Sequence, residues 1–393
     1  MELHTIEDKS YKGKRVFLRV DFNVPLDNGN ITDDTRIKAA LPTINYLLKE
    51  GASIIVGSHL GRPKGKVVPE MSLKPVQERL SALLNKKVNF VVDILGGETK
   101  KISSKLKEGE ILLLENLRFY KEEEDGDENF AKKLASLTDC YVNDAFGTCH
   151  RKHASIYQIT EHFSSVACGY LIQKETKALS VLIDNPPKPF LLILGGAKVL
   201  DKIGMIKNLL DKVDTIITGG IMAYTFIKAK NLEVGSSKVE FDAIPEAKEV
   251  IKEVKRRHLK LHTPLDHIAT DKISVDSNFS PTNRGKIPLD KIGVDIGPKA
   301  IQEYTGFINS SKSIFWNGPM GIFEIEPFAN GTMKIAQAVA SSDAFSVIGG
   351  GDSVAAINKA GVSDKVSHIC TGGGASLEFL EKGILPGIEV LKK

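Results

Sequence analysis

At 393 residues the chain is long enough for two or three domains, each with its own core. A hydrophobic content of 42% and a charged content of 26% describe a soluble globular α/β protein. A net charge of only +4 is too slight to imply nucleic-acid or membrane binding.

The N-terminal stretch MELHTIEDKSYKGKR is too polar for a secretory signal, and no apolar run approaches the ~20 residues that cross a bilayer. RVFLRV then predicts a strand that runs into Asp21-Phe22-Asn23. Asp21 and Asn23 alternate with Phe22, so they either hydrogen-bond ligand hydroxyls or shape a turn. Arg36 follows the charged TDDT. SIIVGSHLGR ends a second strand in His59 and Arg62, both suited to phosphate or carboxylate, and its glycines permit close approach.

LKPVQERLSALL and ENFAKKLASL predict helices, while EILLLENLR carries Arg118 past a third strand end. KEEED at 121–125 reads as a solvated face. CYVNDAFGTCHR brings Arg151 to a fourth. His150 and His153 lack the further ligands that a zinc site needs. The four cysteines, Cys140, Cys149, Cys168 and Cys370, form no CxxC pair and read as reduced thiols of a cytoplasmic protein.

LIQKETKALSVLID has helical apolar spacing, and Asn185-Pro186-Pro187 must end it because proline lacks the amide donor. This predicts a linking helix and hinge over 171–189, between a domain at 1–170 and another at 190–375. Strand–helix alternation predicts a parallel sheet flanked by helices in each.

The second half ends its strands in glycine. FLLILGGAKVLDK opens an apparent helix with Lys198 and Lys202 on one face, and amides at a helix start attract anions. It is not a Walker loop, and no protein-kinase motif set occurs. WNGPMGIFE adds a turn with Asn317 and Glu324. Gly349-Gly350-Gly351-Asp352-Ser353 and Thr371-Gly372-Gly373-Gly374 repeat the strand–glycine–helix pattern. Asp352 suits Mg²⁺, which takes one or two carboxylates plus phosphates, or else Asp352 and Ser353 cap the helix. A nicotinamide dehydrogenase needs a third glycine where Val354 stands. A non-enzymatic nucleotide- or anion-binding module remains the other alternative.

Together RVDFNVP, GSHLGRP, ENLRFY, GTCHRKHAS, GGAKVLDKI, WNGPMGIFE, GGGDS and TGGGAS, in this order, closely resemble the phosphoglycerate kinase family. The resemblance implies two Rossmann-like domains separated by a cleft and a cytoplasmic monomer with no nucleic-acid or membrane partner. The implied reaction is reversible, in-line transfer from 1,3-bisphosphoglycerate to MgADP after domain closure, giving 3-phosphoglycerate and MgATP. It assigns Asp21, Asn23, Arg36, His59, Arg62, Arg118 and Arg151 to the phosphoglycerate. Lys198, Lys202, Gly293, Asn317, Glu324, Gly350, Gly351, Asp352 and Ser353 fall to the nucleotide, with Asp352 nearest the metal. Arg36, Lys198, Gly351 and Gly372 to Gly374 surround the transferring group. Residues 376–393 are expected to return to the N-terminal domain. Cys149, Lys152 and Ser353 depart from the family's usual residues without removing a proposed ligand.

Overall fold

The alternating runs form two α/β units in the computed structural model, which describes residues 2–282 and 286–392. One unit is Met1–Thr176 with Ile384–Lys393; the other is Lys177–Gly383. The division falls inside the predicted linking helix, which spans Tyr170–Asp184.

In the first unit β1 (Arg15–Arg19) precedes a small hairpin of β2 (Leu26–Asp27) and β3 (Asn30–Ile31). Then follow β4 (Ser53–Gly57), β5 (Val88–Val91), β6 (Ile111–Leu114), β7 (Cys140–Asn143) and β8 (Val166–Cys168). Six of these make a parallel sheet in the order β5-β6-β4-β1-β7-β8. Val16, Phe17 and Leu18 of β1 and Ile54, Ile55 and Val56 of β4 are fully buried. A sheet covered on both faces requires such unbroken apolar runs, because neither face meets water.

The second unit contains β9 (Phe190–Leu194), β10 (Thr215–Thr218), β11 (Lys260–His262), β12 (His267–Thr270), β13 (Phe279–Pro281), β14 (Ile292–Ile296), β15 (Ser313–Asn317), β16 (Phe345–Gly349) and β17 (His368–Ile369). Its parallel sheet has the order β11-β10-β9-β15-β16-β17. A separate antiparallel sheet, β13-β12-β14, is an addition that the strand–helix pattern did not announce.

Each parallel sheet winds outward in opposite directions from one place, between β1 and β7 in the first and between β9 and β15 in the second. Loops leaving the carboxyl ends of such neighbours diverge and open a crevice for ligand.

The C-terminal expectation needs correction. Helix Gly374–Lys382 stays in the second unit, packed on helix Leu200–Leu209, where Asn208 Nδ2 donates to the Leu380 carbonyl at 2.6 Å. Gly383, at φ 77°, stops that helix in the left-handed conformation that glycine adopts without strain. Only the chain from Ile384 groups with the first unit, where the Gly387 amide bonds to the Cys149 carbonyl at 2.8 Å.

Candidate active site

Register delivers the first unit's polar residues to one edge. Arg19 pairs with both Gly57 and Asn143, so the chains carrying Asp21 and His59 leave the sheet side by side. Asp21 Oδ2 accepts from Arg36 Nη1 at 2.7 Å, and Asp21 Oδ1 lies 4.0 Å from His59 Nε2. Asp21 also accepts the Asn23 amide at 3.1 Å, while Asn23 Oδ1 accepts the Gly61 amide at 2.8 Å. These two side chains therefore do shape the turn, and in doing so they tie the Asp21 loop to the His59 loop.

Arg118 Nη1 donates to the Gly61 carbonyl at 2.8 Å, and its Nε lies 3.5 Å from Glu124. The Asn116 carboxamide bridges Leu60 and Met71, which fixes the loop under the guanidinium. Arg62 and Arg151 are exposed, and their side chains make no hydrogen bond or ion pair among the described residues.

Sequence reasoning missed a layer beneath this edge. Arg19 is fully buried; its Nε donates to Ser155 Oγ at 2.8 Å and its Nη1 to the Val20 carbonyl. Glu123, part of the run read as a solvated face, is also fully buried. It accepts the Ser155 amide at 2.9 Å and stands 3.8 Å from Arg19 Nη2. Its partners lie far along the chain, so only tertiary packing distinguishes it from its exposed neighbours Glu122 and Lys121. An arginine set between the apolar Leu18 and Val20 was the one available signal, since a buried charge demands a partner.

The field at this edge is positive. Burial holds His59 neutral, with its pKa well below the usual imidazole value, and Arg118, Arg19, Arg36 and His153 push the same way. Burial, then Arg118, Arg19 and Arg151, pull His153 down to about 3. Burial, then Arg19, lower Arg118 to about 10. Burial opposes charge of either sign, but the contribution of the neighbouring arginines, which resists added positive charge, favours an anion by the same electrostatics.

The second unit works with backbone instead. Leu194, Thr218, Asn317 and Gly349 share one row of the sheet, so the glycine turns after β9, β10, β15 and β16 emerge together. The Gly195 amide donates to the Asn317 carbonyl at 2.9 Å, and the Gly196 amide to the Pro319 carbonyl at 2.7 Å. A side chain on Gly195 would collide with the carbonyl oxygens of Gly318 and Pro319. Glycine is required there because two backbones abut.

Asn317 Nδ2 donates to the Gly349 carbonyl at 2.8 Å, and Ser353 Oγ accepts the Gly318 amide at 2.5 Å. Helices Gly351–Lys359 and Gly374–Lys382 both start behind a glycine with no side-chain cap. Their first-turn amides carry partial positive charge. The capping alternative for Asp352 and Ser353 is thereby corrected: Gly350, at φ 90°, holds the cap position, and Asp352 is an exposed first-turn carboxylate.

A second correction concerns the lysines. Helix Leu200–Leu209 begins two residues after Lys198, which is exposed and left-handed at φ 59°, so Lys198 and Lys202 do not share a helical face. Lys202 is buried, and its Nζ donates to the carbonyls of Gly195 at 2.8 Å and Ala197 at 2.7 Å. Burial lowers its pKa to about 8, against the pull of Glu240, Asp352 and Asp201.

Gly293 lies on β14, where a side chain would strike the Tyr224 hydroxyl. Glu324 is exposed on the turn after Ile322, whose amide bonds to the Val294 carbonyl at 2.8 Å and ties that turn to β14. Glu240, which sequence reasoning passed over, accepts the amides of Lys198 and Val199 at 2.6 and 2.8 Å.

Known proteins bear on this arrangement. The family profile described as phosphoglycerate kinase matches residues 6–383. A phosphoglycerate kinase of Clostridium tetani is 51% identical over 389 residues, covering 98% of this chain and 97% of the relative. One from Clostridium novyi is 50% identical over the same length. The solved phosphoglycerate kinase of Coxiella burnetii superposes with a TM-score of 0.91 at 40% identity, covering 99% of each chain. That of Pyrococcus horikoshii gives 0.87 at 35% identity, covering 99% of this chain and 98% of its own. With one sheet edge carrying arginine and histidine, the other glycine turns, and with relatives alike along their whole length, the chain belongs to the phosphoglycerate kinase family.

Proposed function

We propose that the two sheet edges divide the substrates of the family's glycolytic reaction, the reversible transfer of a phosphoryl group from 1,3-bisphosphoglycerate to ADP. Asp21, Asn23, Arg36, His59, Arg62, Arg118 and Arg151 hold the phosphoglycerate. Lys202, Gly293, Asn317, Glu324 and Gly350 to Ser353 hold the nucleotide. Lys198, Arg36 and the amides of Gly351 and Gly374 meet the transferring group. The observation that carries this division is the contrast in chemistry at the two edges: clustered guanidinium and imidazole groups in one unit, glycine turns and uncapped helix starts in the other.

Phosphoryl transfer needs no protein nucleophile, because the acyl phosphate is already activated. Charge spreads over the equatorial oxygens in the transition state, so positioning and cationic stabilisation supply the catalysis. Lys198 and Arg36 offer that stabilisation. Buried Lys202, fixed by two carbonyls, supports a nucleotide phosphate. Neutral His59 provides both a donor and an acceptor for the acid's polar groups.

Asp352 fits Mg²⁺: its carboxylate is exposed, makes no ion pair or hydrogen bond among the described residues, and sits beside helix-start amides. Bound with the nucleotide, the ion would neutralise phosphate charge. In-line transfer requires the reacting atoms within about 3–3.5 Å, so the two ligands together should favour a more compact chain.

The same reading makes the enzyme a cytoplasmic monomer. No described helix is long and apolar enough to cross a membrane.

Calorimetry on Arg62→Ala and Arg151→Ala tests the division of substrates. Both changes should weaken 3-phosphoglycerate binding and leave ADP binding intact. Loss of ADP affinity with the acid site preserved would overturn the assignment.

A further inference from the structure

Lys198 stands in an unusual backbone state for the residue that meets the transferring group. Its φ of 59° is one that side chains other than glycine adopt rarely, and such a conformation persists only where the surroundings over-determine it. The helix behind it starts at Leu200, so no helical hydrogen bonding holds Lys198 in place. What does hold the loop is a carboxylate from elsewhere in the same unit. Glu240 Oε1 accepts the Lys198 amide at 2.6 Å, and Oε2 accepts the Val199 amide at 2.8 Å.

Glu240 is itself anchored. Its amide donates to Thr225 Oγ1 at 3.2 Å, and that hydroxyl donates to the Ile221 carbonyl at 2.9 Å within helix Gly220–Ala229. The same helix grips the other end of the loop, where the Met222 amide donates to the Gly196 carbonyl at 2.9 Å. Residues 196–199 are therefore clamped at both ends from one rigid element.

We infer that Glu240 is a positioning residue for phosphoryl transfer, acting through the backbone of Lys198 rather than by touching substrate. Paired amide-to-carboxylate bonds are charge-assisted and directional, which suits them to setting the direction of a neighbouring side chain. Without them the loop can relax from the left-handed conformation and swing the ammonium off line. A misplacement of about 1 Å is enough to slow an oriented reaction by up to ~100-fold. This inference rests on the role proposed above for Lys198.

The test is a kinetic double-mutant cycle on the full chain, with Glu240→Ala, Lys198→Ala and the double variant assayed at saturating substrates. Glu240→Ala should lower kcat by about 10- to 100-fold and leave the KM for 3-phosphoglycerate unchanged. Added to Lys198→Ala, it should cost almost nothing more. Glu240→Gln, which keeps one acceptor, should fall between wild type and alanine, and it serves as the reading if the alanine variant does not fold. Full turnover in Glu240→Ala or, where that variant does not fold, in Glu240→Gln, or an equal loss in both backgrounds, would overturn the inference and leave the Lys198 assignment standing. Full turnover in Lys198→Ala would overturn both.

Discussion

Lys202 offers a charge whose burial can be measured. Burial takes its ammonium from the ordinary lysine value of 10.5 to about 8, even with Glu240, Asp352 and Asp201 nearby. Kept protonated at neutral pH, it carries a penalty of about 3 kcal/mol. Lys202→Met removes the charge together with the two bonds to the Gly195 and Ala197 carbonyls. Each such bond is worth about 1 kcal/mol and leaves an unpaired carbonyl when lost, so the net effect at pH 7 is small.

The pH dependence separates the two contributions, because the carbonyl bonds lost in the variant do not titrate. Between about pH 8 and 10.5 the folded wild type has released the Lys202 proton while the unfolded chain still binds it, so stability rises with pH in that window. The methionine variant lacks this rise. Wild type should therefore gain about 2 kcal/mol over Lys202→Met between pH 7 and about pH 9.5. Urea titrations followed by fluorescence will read this from the right unit, since the chain's single tryptophan, Trp316, is fully buried there. Parallel stability curves for the two proteins would refute the reasoning and mean that Lys202 reaches solvent. The same charge predicts proton uptake when ADP binds near pH 8.5, visible as a buffer-dependent binding enthalpy.

Three further outcomes follow from the site. Lys198→Ala should lower turnover by ~10²–10³ with little change in 3-phosphoglycerate affinity, as removal of a donor that acts on developing charge does; steady-state kinetics beside calorimetry will check it. Asp352→Asn should raise the Mg²⁺ needed for half-maximal rate and leave the thermal midpoint nearly unchanged, because the carboxylate bonds to none of the described residues; an unmoved magnesium titration would remove the metal role. Solution scattering should show the radius of gyration falling most with both substrates bound, and equal radii in the free, singly and doubly liganded states would exclude ligand-driven compaction.

Most of the site was legible because parallel sheets convert chain order into spatial order. Once β1 and β4 are recognised as neighbouring apolar runs, the residues after Arg19 and Gly57 must emerge together, and those are Asp21, Asn23, His59 and Arg62. The glycines were legible for a related reason, since Gly195 and Gly318 mark where two chains leave a sheet in backbone contact. The supporting residues were not legible. Nothing within KEEED distinguishes buried Glu123 from exposed Glu122, because that difference arises from Arg19 and Ser155, which only the fold brings near. Glu240 likewise looks like one acid among many until its carboxylate meets the Lys198 amide. The short strands of the β13-β12-β14 sheet escaped for a third reason, as three to five residues give too little periodicity to read.

The electrostatics of the two edges have a common sense. His59, His153 and Arg118 in one unit and Lys202 in the other are all pushed toward losing a proton, chiefly by burial. A protein selected for stability alone would replace such groups with apolar ones, since even a buried charge that is hydrogen-bonded, as Lys202 is by two carbonyls, often costs more than an apolar side chain of similar volume. Keeping them makes sense if a polyanion completes each site, because every phosphate or carboxylate that arrives relieves a penalty the free fold already carries. It also follows that changes which stabilise the free protein at these positions should weaken its grip on substrate.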